Sequence, residues 1–279
     1  MKFTVFGGQG FIGQRLVSFL LANGHDVLAP QKGMESSAIE ANECCGHVIY
    51  SIGMTGDFRQ RPYDTIEAEV AKHANLLRAA RFDSWLYLSS TRVYSGLKES
   101  EPASEGTTLS VVPSRDSLYN LAKLLSEAVC LGHQNPTVRV ARLSNVFGRG
   151  QKSATFLGAV ISEILESGAL EIREAPNSMK DYIGINEVCE CLQSIALAGR
   201  ERIYNVASGL QTSHQAIAEK LSALTGGTIA FAPGAPCRRF PPIDVSRLAS
   251  EFPHRPSSLI DGLESLLPQS DNMDQRKKT

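Results

Sequence analysis

The sequence predicts an α/β fold built on a doubly wound parallel sheet. Three observations carry the prediction. Short β-rich runs alternate with segments of helical apolar spacing through the first half of the chain. The first run ends at once in a glycine-rich turn that opens a helix. The 279 residues are 42% hydrophobic and 20% charged, an ordinary globular composition with enough length to bury a core without metal or disulfide staples.

The elements follow in order. Residues 2–6, KFTVF, read as a first strand. Phe11, Ile12, Leu16, Phe19 and Leu20 recur at helical spacing over 11–22, and Asn23-Gly24 ends that helix. His25 to Ala29 reads as a second strand, stopped by Pro30. Strand, turn, helix and strand within about 30 residues make one βαβ unit. The pattern then repeats, with strands over 48–52, 84–89 and 137–143 and helices over 63–80 and 118–132.

Beyond Gly148 the pattern predicts helices over 156–166, 187–198 and 214–224, with strands over 170–173 and 202–206. Pro233, Pro236, Pro241 and Pro242 make 232–242 largely loop, and a last helix is expected within 257–267. We therefore expect a dinucleotide-binding domain over 1–150, a small mixed α/β substrate region over 151–267, and a disordered tail over 268–279, where apolar residues are nearly absent.

Charge and cysteine content narrow the function classes. With 28 basic and 29 acidic side chains the formal charge is −1, which argues against a general electrostatic grip on nucleic acid or anionic lipid. No window approaches the ~20 apolar residues of a membrane span, and the start MKFTVFGGQG lacks the features of a secretion signal. The expected location is cytoplasmic. The six cysteines show no CxxC pairing and read as reduced thiols, and no metal site is expected.

Gly7-Gly8-Gln9-Gly10-Phe11-Ile12-Gly13 carries the first functional signal. Gly7 permits a tight turn, Gly10 lets a pyrophosphate approach the backbone, and Gly13 allows close helix–strand packing. The helix N-terminus, at Phe11 and Ile12, offers free N–H groups and positive partial charge to phosphates. A strand before and a helix after satisfy the context that such a turn needs, so the fold is expected to be Rossmann-type with NAD or NADP as cofactor. At the end of the second strand an acidic residue commonly binds ribose hydroxyls. Here Gln31 and Lys32 occupy that place, which tilts the choice towards NADP.

Tyr119 and Lys123 stand at i and i+4 on a predicted helix, so both face one way. A nearby ammonium favours phenolate and is expected to lower the tyrosine pKa, which suits proton exchange with a sugar hydroxyl during hydride transfer. Ser90, directly after the SWLYLS strand, is placed to hydrogen-bond the same substrate oxygen.

Six stretches in one order, Gly7 to Gly13, LYLSSTRVYSG from Leu86, YNLAK from Tyr119, RLSNVFGRG from Arg142, KDYIGINEV from Lys180 and IYNVASG from Ile203, resemble the extended short-chain dehydrogenase/reductase family. This is the NAD-dependent epimerase/dehydratase group that acts on nucleotide sugars, and the likeness spans roughly residues 2–250. It implies Tyr119, Lys123 and Ser90 as catalytic residues. It implies cofactor contacts from the glycine turn, Gln31, Lys32, the strand end Ser51-Ile52-Gly53, Ser89, Tyr119 and Lys123. It implies substrate contacts from Ser90, Thr91, Asn145, Lys180, Arg238 and Arg239, the arginines suiting a diphosphate through bidentate bonding. It also implies a nucleotide-diphosphate sugar as substrate and a homodimer formed through the helices over 63–80 and 118–132.

Departures shape the expected reaction. Family dehydratases carry Asp-Glu where Thr91 and Arg92 stand, so 4,6-dehydration is not expected. Glu69 occupies the place of a cofactor-facing asparagine, and Lys180 that of an arginine. The resemblance therefore implies an epimerase or a 4-keto reductase acting at C4. The alternatives are a reductase of non-sugar carbonyls and a non-catalytic dinucleotide sensor.

Overall fold

The computed structural model describes residues 1–54, 56–99, 101–151 and 155–268. The expected tail falls almost wholly outside these residues. Eleven strands appear among them: β1 Lys2–Phe6, β2 Asp26–Leu28, β3 His47–Tyr50, β4 Ser84–Ser90, β5 Val138–Leu143, β6 Asn145–Phe147, β7 Ala169–Ile172, β8 Met179–Gly184, β9 Ile203–Val206, β10 Gln211–Ser213 and β11 Thr228–Phe231. The α-helices are α1 Phe11–Ala22, α2 Glu35–Glu40, α3 Pro62–Ile66, α4 Lys72–Ala79, α5 Leu118–Gly132, α6 Phe156–Ser167, α7 Ile185–Ala198, α8 His214–Thr225, α9 Ser246–Glu251 and α10 Leu259–Gly262.

The central sheet is parallel in every pairing, in the order β2-β1-β3-β4-β5-β9. The Rossmann-type α/β expectation holds. Alternation along β1 sends Phe3 and Val5 to one face and Phe6 to the other. The first face packs with Leu16 and Leu20 of α1 and with Val188, Leu192 and Ile195 of α7. The second packs Val48, Tyr50, Trp85 and Tyr87 against Leu76 and Leu77 of α4 and Cys130 of α5. Each such buried side chain contributes about 1.5–3 kcal/mol. The order in which strands are added reverses between β1 and β3, and a crevice opens there beyond the strands' carboxyl ends.

A second core gathers Phe147, Leu157, Val160, Ile164, Tyr182, Ile217, Leu221, Leu259 and Leu263. It lies under the sheets β10-β8-β6 and β11-β7. The two bodies interleave in sequence. β9 completes the central sheet and α7 covers one of its faces, although both follow residue 150. β6, β8, β10 and β11, together with α2 and α9, are elements that the apolar pattern did not predict. Several are only three or four residues long, too short for periodicity to register. The last helix is split into α10 and a 3₁₀ turn, Leu263–Leu266.

The single helix expected over 63–80 contains a π turn, Glu67–Ala71, between α3 and α4. Pro62 starts the rod at a position that needs no amide donor. Two hydroxyls capture carbonyls within the widened turn: Tyr50 donates to the Ala68 oxygen (2.5 Å) and Ser126 to that of Glu69 (2.6 Å). The turn carries the buried Glu69 side chain.

Candidate functional site at the sheet's carboxyl edge

The glycine turn is a cradle without room for side chains. Gly7 has φ +87°, and a Cβ there would lie 2.8 Å from Ser51 and Ile52 atoms. A Cβ on Gly13 would lie 2.1 Å from the Gly7 carbonyl oxygen. The Gly10 amide bonds that same oxygen at 2.9 Å. α1 begins at Phe11 with no side-chain cap, so its first amides face the crevice unclaimed by a cap. Ile12 and Gly13 complete the first turn, and the Phe11 ring lies against Gly148. Ser51 anchors the opposite wall by donating to the Phe6 carbonyl (2.8 Å). A backbone that no Cβ could enter, facing open helix amides, fits a dinucleotide pyrophosphate.

Gln31 and Lys32 are both exposed beyond β2. The nearest carboxylate in sequence, Glu35, is buried and committed to Lys72 (3.4 Å) and the Gly33 amide (2.9 Å). It does not supply the missing strand-end acid.

Ser90, Tyr119 and Lys123 converge as the sequence predicts. Ser90 ends β4, and its oxygen accepts the Arg92 amide at 3.2 Å, capping the 3₁₀ turn Thr91–Tyr94. The same hydroxyl is near enough to the Tyr119 phenol to pull its pKa down. The Lys123 ammonium lies 5.6 Å from the centre of the Tyr119 ring. On the other side Phe58, 1% exposed, places its ring 5.6 Å from that of Tyr119. Arg59 and Arg92 lie over Phe58 at 4.5 and 5.1 Å.

Lys123 has a partner that spacing alone did not predict. Its ammonium is 2.7 Å from Glu69 Oε2 and donates to the Leu88 carbonyl at 2.8 Å. Glu69 is fully buried, accepts the Tyr87 hydroxyl (2.9 Å), and takes the Met54 amide on Oε1 (3.1 Å). Gly53 lies against it: a Cβ there would come 2.6 Å from the carboxylate, which would have to shift.

Burial, with a smaller push from this partner, overturns the expected drop in the Tyr119 pKa. Burial pushes the phenol above its ordinary value; Lys123, Ser90 and Arg92 pull it down, while Glu69 pushes it up. Burial also opposes the Lys123 charge, yet Glu69 and Tyr119 outweigh it and hold the ammonium above its ordinary value.

The remaining predicted residues divide. Ser89 is buried with its hydroxyl committed to Glu127 (2.5 Å), so that side chain is not free for a cofactor. The strand's alternation sends adjacent Ser89 and Ser90 to opposite faces. Thr91 opens the 3₁₀ turn beside Ser90. Asn145 is exposed on β6 and donates to the Asp181 carbonyl (2.8 Å). Lys180 and Arg238 share Glu174 at 3.3 and 3.4 Å. Burial lowers the Lys180 pKa against the pull of Glu174, and Arg238 and Arg92 lower it further. Arg239 turns away to Glu99 (3.2 Å) and lines a cavity of about 680 Å³ with Asn177, Gln211, Ser213 and Phe240.

Among the described residues no group of three or more His, Cys, Asp or Glu is placed to hold a metal ion, and no helix is long and apolar enough to cross a membrane.

The chain is similar in fold to several solved structures. MoeE5 in complex with UDP-glucuronic acid and NAD aligns with a TM-score of 0.80 at 21% identity, over 95% of this chain and 97% of that one. RMD from Pseudomonas aeruginosa complexed with NADPH gives 0.81 at 23%, over 96% and 98%. The UDP-glucose 4-epimerase of Thermus thermophilus complexed with NAD gives 0.79 at 21%, over 95% and 97%. No curated protein sequence matches the chain. Residues 3–207 match the family described as the NAD dependent epimerase/dehydratase family. The chain belongs to that family.

Proposed function

We propose that the protein is an NAD(P)-dependent oxidoreductase or epimerase acting at C4 of a nucleoside-diphosphate sugar. The observation that carries this reading is the convergence of Ser90, Tyr119 and Lys123 at the end of β4, in a sheet whose β1–β3 crevice is lined by the glycine cradle. The structural neighbours complexed with NAD, NADPH and UDP-sugars support the same reading.

A bound nicotinamide dinucleotide would supply or accept hydride. Gly7, Gly10 and Gly13 would hold its pyrophosphate against the open end of α1. Two donors of Lys123 are engaged by Glu69 and Leu88, and an ammonium has a third for the nicotinamide ribose. Tyr119 takes the C4 hydroxyl proton in oxidation and returns it in reduction, while Ser90 orients that oxygen. Lys180 and Arg238 supply positive charge for the diphosphate, and the cavity beside Arg239 suits the nucleoside. Thr91 and Arg92 place no carboxylate beside Ser90, which argues against dehydration by an acid pair.

Mass spectrometry of ligands released from purified protein tests the reading. Retained NAD favours an epimerase, which regenerates its cofactor within one turnover. NADPH-dependent turnover without retention favours a reductase. Failure of nucleoside diphosphates to bind, with Arg238→Ala and Arg239→Ala silent, would shift the substrate to a non-sugar carbonyl. Unchanged turnover in Tyr119→Phe would sink the enzymatic reading.

A further inference from the structure

We infer that Glu69 is a positioning residue of this site: it draws the Lys123 ammonium into a buried ion pair and thereby sets the charge felt at the Tyr119 hydroxyl. The inference rests on the reading of Tyr119 as the group that exchanges protons with substrate.

The geometry is specific. The pair is 2.7 Å long, with side chains 6% and 0% exposed. Both Glu69 oxygens are engaged, Oε2 by Lys123 and Tyr87 and Oε1 by the Met54 amide. The π turn supports the residue, since Ser126 of α5 holds the Glu69 carbonyl. Gly53 leaves the space the carboxylate fills. A structural ion pair could sit anywhere in the core. This one is centred on the lysine beside Tyr119.

Every element around the phenol has a stated charge. Lys123 comes from α5, Glu69 from the π turn, and Ser90 and neutral Tyr87 from β4. Arg92 comes from the 3₁₀ turn, and Phe58, capped by Arg59, from the loop before α3. Lys123 and Arg92 favour the phenolate, and Glu69 opposes it. A lone Lys123 would act on Tyr119 with full charge, whereas Glu69 at 2.7 Å offsets part of it. Ionisation of Tyr119 then depends on what substrate and cofactor bring into the crevice.

Titration of the ligand-free protein tests this directly. With tyrosine labelled by ¹³C at Cζ, the Tyr119 signal is assigned by its loss in Tyr119→Phe. Glu69→Gln keeps the shape and one acceptor oxygen but removes the negative charge. The Tyr119 midpoint should then fall by on the order of one pH unit, a tenfold change in proton affinity. The ascending limb of the oxidative pH–rate profile should move to lower pH with it. An unchanged or higher midpoint overturns the inference.

Should Glu69→Gln fail to fold, the double variant Lys123→Met/Glu69→Gln decides. It replaces the pair by uncharged side chains of similar shape, a change that buried pairs often tolerate. If Glu69 offsets much of the Lys123 charge, removing both shifts the midpoint upward by less than about one unit; a rise of about one unit or more means that Lys123 acted uncancelled, and overturns the inference. Expected titrations combined with no turnover of any nucleotide sugar would count against the proposed activity and leave the role of Glu69 standing.

Discussion

Lys123 and Glu127 stand one helical turn apart on α5, and each meets an opposite charge below the surface: Glu69 for the first, at 2.7 Å, and Arg142 for the second, at 2.6 Å. The Glu127 pair is closed on every side. Arg142 reaches both carboxylate oxygens, Ser89 donates to one of them, and Tyr94 ties the guanidinium to Asn205. Asn205 in turn donates to the carbonyls of Ala103 and Asp244. The planar fork of arginine fixes this geometry, and its charge does not titrate. The Glu69 pair uses lysine, a compact charge with rotatable donors, and it stands beside the Tyr119 phenol. One helix thus carries a fastening and a charge control, distinguished by which cation was placed there.

Breaking each pair should separate these roles. Lys123→Met should cut turnover by about 10²–10⁴-fold, the usual contribution of acid–base machinery, beside the loss of about 3–5 kcal/mol expected from stranding the buried Glu69. Steady-state kinetics beside a denaturant melt would check it, and a fully active variant would erase the contrast. Arg142→Met should cost stability without touching the chemistry. Stranding a buried Glu127 should cost about 3–5 kcal/mol in unfolding free energy while any folded fraction keeps its pH–rate profile. A moved profile would show that the second pair also reaches the chemistry.

Stability against acid sharpens the comparison, because it isolates groups that act only through folding. His73 is fully buried behind Lys123, accepts the Trp85 indole N–H (3.2 Å), and has its pKa lowered to about 3 by burial and by Lys123. His214, stacked on Phe156 at 4.0 Å between ring centres, is lowered to about 4. A folded-state pKa below the unfolded value gives stability that is complete above the unfolded pKa and is lost as pH falls. Each histidine should therefore cost roughly 1.4 kcal/mol per pH unit below about 6.5, down towards its folded value. His73→Gln should flatten the fall of Tm with acid; an unaltered slope would assign the loss elsewhere.

The smallest effect is expected at the exposed Lys32. Lys32→Ala should weaken NADPH binding by a few-fold and leave NADH untouched, as for a solvated charge–phosphate contact of about 1 kcal/mol or less. Equal affinities before and after would remove the preference for the phosphorylated cofactor.

The sequence alone determined the parts of this protein whose causes are local. Gly7 and Gly13 are demanded by a backbone that leaves no space for Cβ, and alternation along β1 already separates the two faces of the sheet. Tyr119 and Lys123 share a face because a helix turns every 3.6 residues. What the tertiary structure decided is who meets whom across the chain. Glu69 stood out in sequence only as a departure at an expected asparagine; the π turn carries it to Lys123, and burial together with Glu69 raises the Tyr119 pKa that Lys123 alone would lower. Ser89 and Ser90 read alike in sequence, yet opposite faces of β4 give one to Glu127 and the other to Tyr119. Arg238 and Arg239 part company in the same way, towards Glu174 and Glu99. Electrostatics depends on distance and burial in space, and residues far apart in sequence acquire both only when the chain folds.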